Sequence, residues 1–253
     1  MTGRGPLALA AASLLALSLA ACATPDPDAF PEADARALTT EEAQILAAMR
    51  FRNFDAGARS ISFELDESGQ QLAVDGWFDY TSGVGYGRIA EGESAELLLW
   101  NSDSVGRHPS DADTAPLPIP DADALADAWY GGALDPASSR LDTVLAMIGS
   151  LGGDRPDNPL LLQQSGALWL GEREIDGREL TVYAGPPSDT ALAPGETADP
   201  AAATVRYWVD ETGLLFRLEV RLGGEQAWTR VAFGPADGVS LGDPFTAAQA
   251  GAP

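Results

Sequence analysis

Lysine is absent from this 253-residue chain, and histidine and cysteine occur once each, at His108 and Cys22. One cysteine excludes an internal disulfide. Neither a Gly-x-Ser-x-Gly elbow nor a His-Glu-x-x-His pair is present, so the common hydrolase signatures are missing. Gly83-Val84-Gly85-Tyr86-Gly87 lies inside a strand pattern and lacks the terminal Lys-Ser/Thr of a phosphate-binding loop. Asp111-x-Asp113 and Asp121-x-Asp123 lack the glycine and distal glutamate of a calcium loop, and read as caps and solvated acids. His108 reads as a solvated loop histidine. No catalytic residue, metal or cofactor is expected. All fifteen basic residues are arginine against 38 Asp and Glu, a net charge of −23 that repels nucleic acid and anionic surfaces at long range.

What is present begins at the amino terminus. Arg4 is the only charge before an apolar run over residues 7–19, which small residues and a cysteine close, the layout of a secretory signal over residues 1–21. The run is too short for a bilayer of roughly 30 Å, which needs about 20 residues. Leu19-Ala20-Ala21-Cys22 is similar to the bacterial lipobox. That resemblance implies cleavage before Cys22 and a diacylglyceryl thioether on it. The protein would then sit on the extracytoplasmic face of the cell membrane, held by acyl chains because no polybasic stretch is available. Residues 22–38, rich in Pro, Asp and Ala, form a tether with no apolar periodicity.

Thr39 to Glu42 reads as a capping box, and Ile45, Leu46 and Met49 continue at helical spacing, predicting a helix over about 40–53. From Arg59 the period drops to two. Ile61, Phe63 and Leu65 alternate with polar residues, and three further strands follow near 72–78, 83–87 and 94–101, an antiparallel meander. Residues 102–120 read as a loop. A short helix capped by Asp121 or Asp123 runs through Trp129 to Gly131-Gly132, and a stronger one opens at Asp135-Pro136 with the stripe Leu141, Val144, Leu145 and Ile148. The β period then returns with a hairpin at Asp176-Gly177. It ends in the clearest alternation of the chain, with Leu214, Phe216, Leu218, Val220 and Leu222 on one face. Nine strands, four before the central helices and five after, predict an α+β fold. The expected form is a strongly curved antiparallel half-barrel, covered on one side, with three helices over its concave face. The domain would span 39–246, with a disordered tail over 247–253.

Two residue patterns bear on function. Gly83, Gly85 and Gly87 fall at i, i+2 and i+4, leaving a groove for close packing and strand twist or for a ligand. Tryptophans share strand faces with charges: Trp77 with Asp75 and Asp79, Trp100 with Glu96, Trp169 with Arg173, Trp208 with Arg206 and Asp210, Trp228 with Arg230. If all point outward, they either brace the sheet or form a docking surface for an envelope partner.

The lipobox at Cys22 is joined by Val74-Asp75-Gly76-Trp77 and Tyr86-Gly87 in the meander. Near the other end stand Val205-Arg206-Tyr207-Trp208-Val209-Asp210, Gly213-Leu214-Leu215 and Trp228-Thr229-Arg230-Val231. Together these resemble the LolA-like lipoprotein-carrier superfamily, and within it the actinobacterial LppX/LprA/LprF/LprG group of lipid-binding lipoproteins. The likeness covers residues 39–245 and implies a monomeric protein with an apolar cavity for lipid or glycolipid acyl chains and no catalytic motif. Its lining would draw on Ile61, Phe63, Leu65, Val74, the three glycines, Leu141, Val144, Leu145, Ile148, Leu214, Phe216, Leu218 and Val220. The same fold also suits a sensor or accessory lipoprotein for an envelope signalling or transport partner.

Overall fold

The capping box forms as read. Glu42 N–H donates to Thr39 Oγ1 at 3.2 Å, Thr39 N–H donates to Glu42 Oε2 at 2.8 Å, and α1 runs from Thr40 to Asp55. The computed structural model describes residues 34–110, 129–187, 192–193, 196–224 and 227–242. The leader, Cys22, most of the tether, the aspartate pairs at 111–113 and 121–123, the short helix up to residue 128 and the 247–253 tail lie outside the described residues.

The strands, in chain order, are β1 (Arg36–Ala37), β2 (Ala58–Glu67), β3 (Gln70–Asp79), β4 (Val84–Glu91), β5 (Ser94–Trp100), β6 (Ser104–Ser110) and β7 (Tyr130–Ala133). After two helices follow β8 (Leu168–Ile175), β9 (Arg178–Ala184), β10 (Val205–Val209), β11 (Leu215–Val220) and β12 (Thr229–Pro235). All pair antiparallel in one open sheet of twelve strands, ordered β1-β8-β9-β10-β11-β12-β2-β3-β4-β5-β6-β7. The chain therefore walks from the middle of the sheet out to β7. It crosses one face through the helices to β8, then returns until β12 closes against β2.

Nine strands were expected. β1, β6 and β7 are the additions, and each lacks an apolar alternation. β6 carries Gly106, His108 and Pro109, so His108 belongs to a strand rather than a loop, with its ring 5.5 Å from that of Trp129. Pairing with β7 stops at Arg107, which leaves Pro109 on an exposed edge where its missing N–H costs nothing. Gly131 is in β7 because a Cβ there would come within 2.1 Å of the Val105 carbonyl oxygen. The predicted turn at Asp176-Gly177 forms, and another stands at Ser68-Gly69, all four residues at positive φ.

The strong central helix, α2 (Arg140–Ser150), starts later than Asp135. Ser139 is its N-cap, and Glu67 at the end of β2 accepts the Leu141 N–H at 2.8 Å, while Asp135-Pro136 makes a separate turn. A third helix, α3 (Pro159–Gln164), was not expected; Asn158 caps it and Pro159 opens it. Arg50 on α1 donates to Ser150 O at 2.9 Å and to Gly152 O at 3.1 Å, joining α1 to the chain that leaves α2. Leu46 and Met49 of α1 and the whole α2 stripe press onto Ile61, Phe63, Val74, Ile89, Leu98 and Val231 in the main core.

Coverage of one face alone was expected; the other face is covered only in patches, with Ser62, Glu64 and Asp75 exposed between them. On the far side Leu241 packs on Val84, Tyr86, Leu97 and Leu99, and Ala203 joins Leu168, Leu170, Leu180, Val182 and Trp208 in another cluster.

Candidate ligand cleft

The residues expected to line a cavity divide into three groups. Ile61, Phe63, Leu65, Val74, Leu141, Val144, Leu145, Ile148, Leu218 and Val220 are all members of the main core cluster. The four α2 side chains are each 0% exposed, so the stripe that was to close a cavity is spent on packing.

The glycines do not make a common groove. Gly83 sits in the turn before β4 at φ 73°. At Gly85 the vacant side-chain space is occupied by the indole of Trp100, since a Cβ would lie 2.1 Å from two of its ring carbons. Gly87 faces Gly76 across the β3–β4 ladder, and its Cβ would meet the Gly76 Cα at 2.8 Å. Two of the three are needed for close packing.

Leu214 and Phe216 behave differently because of a β-bulge. Trp208 pairs with Arg217 but the next residue, Val209, pairs with Leu215, so Phe216 is the extra residue. Leu215 takes the inward place in the core, and Phe216 turns to the other face of the sheet. Leu214 and Phe216 there line a cleft of about 790 Å³.

Five segments build this cleft: Ala56–Arg59 between α1 and β2, Asp79–Ser82 after β3, Arg178 at the start of β9, Leu214 and Phe216, and Pro235–Leu241 after β12. Asp79 fixes two of its walls. Its Oδ1 accepts the Thr81 N–H at 2.9 Å and its Oδ2 accepts the Leu241 N–H at 3.0 Å, which ties the β3 end to the closing segment. Arg59 is buried at the base. It donates through Nε to Gly234 O at 2.9 Å, through Nη2 to Leu215 O at 2.9 Å and through Nη1 to Asn53 Oδ1 at 3.4 Å. Burial holds the Arg59 pKa below its usual value, with the Arg178 charge acting the same way. The Arg178 guanidinium carbon is 4.1 Å from the centre of the Phe216 ring, and that of Arg59 is 5.5 Å from it. The walls are mixed, with Leu214, Phe216, Val239 and Leu241 beside Asp79, Thr81, Ser82, Asp237, Ser240 and two guanidiniums, an arrangement with room for both parts of an amphiphile and a size in the usual range for ligand pockets, about 300–1,000 Å³.

Sequence reasoning missed Arg59, Arg178 and Asp79. Arg59 did carry a signal: it shares the register of Ile61, Phe63 and Leu65, and a charge in an inward register is one that needs partners. A second cleft of about 610 Å³, at the β4–β6 end, is lined by Glu91, Glu93, Glu96, Arg107 and Tyr130 among others; its carboxylates make it a poor host for an apolar chain.

The tryptophans do not share one outward face. Trp100 is interior, and Trp169 packs beside the main core under Arg36, 4.2 Å from its ring. Trp208 is fully buried on the far face with Arg217 at 4.5 Å, and Trp228 lies under Arg206 at 4.1 Å and Arg221 at 4.3 Å. Those guanidiniums surround Glu219, which is 0% exposed, with Arg230 Nε at 3.3 Å, Arg206 Nη1 at 3.4 Å and Arg217 Nη1 at 3.8 Å. The mosaic neutralises a buried carboxylate and braces the sheet.

Among the described residues, no helix is long and apolar enough to cross a membrane, and no three acidic, histidine or cysteine side chains gather as a metal site. Compared with known proteins, the chain matches no protein-family model and no curated protein.

Proposed function

We propose that this is a membrane-anchored extracytoplasmic lipoprotein of LolA-like type, which binds a lipid or glycolipid and holds or hands on its acyl chain. In this reading Cys22 carries the anchor and the sheet bends as a half-barrel around its helices. The protein acts as a monomer, without catalysis, cofactor or nucleic acid. The ligand site is the cleft around Phe216 and not the helix-covered interior. The observation that carries the reading is that cleft: a space of about 790 Å³ beside a core whose own expected lining is packed.

Magnitude sets the expected affinity. Eight methylenes in the cleft gain about 6 kcal/mol at roughly 0.8 kcal/mol each. That corresponds to a Kd of tens of micromolar before any contribution of the head group. Such a ligand exchanges rapidly, as a shuttle requires.

Native mass spectrometry of protein purified under mild conditions tests the reading. The expected result is a co-purified lipid mass that Phe216→Asp abolishes while the circular dichroism spectrum is kept. An empty wild-type protein that also fails to take up added lipid would refute it.

A second reading, a sensor or accessory protein for an envelope partner, has one observation in its favour. Leu160 and Leu161 on α3 are 58% and 49% exposed, an adjacent pair of large apolar side chains. Partner capture undiminished by Leu160→Ser/Leu161→Ser would dispose of it.

A further inference from the structure

Neither guanidinium of the cleft is hydrogen-bonded to a carboxylate, although the Asp210 charge acts on Arg59 from farther away. Arg59 is 3% exposed and its three acceptors are carbonyl and amide oxygens, none of them charged. Arg178 stacks on Phe216. Among the described residues neither forms an ion pair, whereas Arg36, Arg50, Arg107, Arg206, Arg217 and Arg230 each do. Carboxylates are not in short supply, with 38 acids to fifteen arginines. Both cations lie within 5.5 Å of the centre of one phenyl ring, and both line the cleft.

We propose that the cleft selects an anionic amphiphile, whose carboxylate or phosphate head group is received by the exposed Arg178, with the buried charge of Arg59 nearby, while its chain runs along Leu214, Phe216 and Val239. This rests on the amphiphile reading above and adds the charge of the ligand. Two acidic residues also line the cleft, and they set the orientation. The Asp79 oxygens are occupied by the Thr81 and Leu241 amides, and Asp237 is exposed on the closing segment after β12. An anion is therefore driven away from Asp79 and Asp237 and towards Arg178. Charge-assisted hydrogen bonds from guanidinium to carboxylate or phosphate are about twice as strong as neutral ones.

The test uses the full chain carrying Cys22→Ser, which leaves it unacylated, and three probes of equal length: dodecanoate, dodecyl phosphate and dodecanol. Calorimetric titration at neutral pH is expected to show one or both anions bound at least about tenfold more tightly than the alcohol. Which anion wins distinguishes a fatty-acid-like ligand from a phospholipid-like one. Arg178 is exposed, so Arg178→Gln folds independently of the result; it is expected to cut the preference severalfold, and Arg178→Lys to restore part of it. Equal binding of alcohol and anions, or a preference untouched by Arg178→Gln, would overturn the inference while leaving the amphiphile reading intact. No binding of any of the three would overturn both.

Discussion

Gly85→Ala separates a glycine that makes room for a ligand from one that makes room for an indole. The new methyl would lie 2.1 Å from Trp100 Cε2 and Cζ2 and 2.5 Å from Cδ2, where carbon atoms ordinarily rest at about 3.5–4.0 Å. Trp100 cannot retreat cheaply, since it is 1% exposed and its ring lies 5.9 Å from that of Phe78. Overpacking of this kind costs about 1–3 kcal/mol, and a clash of more than 1 Å with a rigid ring belongs at the upper end. Replacing a strand glycine returns roughly 0.5–1 kcal/mol of backbone entropy, so the net loss should be about 2 kcal/mol. Trp100→Ala alone should cost about 3–5 kcal/mol. In the double variant the methyl meets no indole, so Gly85→Ala becomes neutral or favourable there, a coupling of about 2 kcal/mol. Urea unfolding of the four proteins, with the m-value constant, measures the cycle. Additive losses, or a Gly85→Ala protein as stable as wild type but weakened in lipid binding, would refute the packing argument.

Other consequences are as direct. Leu145→Ala removes a fully buried α2 side chain and should cost about 2–5 kcal/mol in urea, yet leave amphiphile affinity of the folded protein unchanged, because the cleft is elsewhere. Glu219→Gln leaves three arginines gathered around a neutral group. Removing one member of a buried pair costs about 3–5 kcal/mol, and the partial exposure of these arginines reduces the expected loss to about 2–4 kcal/mol by the same unfolding assay. The bidentate Arg36 pair holds the Glu42 pKa down at about 2, helped by the Thr39 amide. A depressed carboxylate pKa stabilises the fold above its unfolded value and loses that contribution as pH falls. Stability should therefore decline between pH 4.5 and about 2, by about 1 kcal/mol for so exposed a pair. Arg36→Gln should flatten that part of the pH–stability curve.

The parts of this fold that are legible in sequence are the local ones. Thr39 and Glu42 are three residues apart and cap each other, Asp176-Gly177 supplies the positive φ of its turn, and the α2 stripe repeats within eleven residues. What is not legible depends on partners far along the chain. β6 and β7 are glycine- and proline-bearing segments that become strands only because β5 offers an edge to β6, and β6 one to β7. The register of β11 looked continuous through Leu214, Phe216 and Leu218. The bulge opposite Trp208 is invisible without the partner strand, and it moves Phe216 from the core to the cleft. The cleft itself joins residues from 56 to 241, each contributed by a different connection. Its one local trace is Arg59, a charge standing in a row of inward apolar residues.

Amide chemical-shift mapping with dodecanoate tests the central claim most directly, because it reports where the chain goes and not merely that it binds. The account predicts saturable shifts at Gly57, Arg178, Phe216 and Gly238–Leu241, with Val144, Leu145 and Ile148 unmoved. Shifts concentrated on α2 and the strands beneath it, with the Phe216 cleft silent, would contradict it.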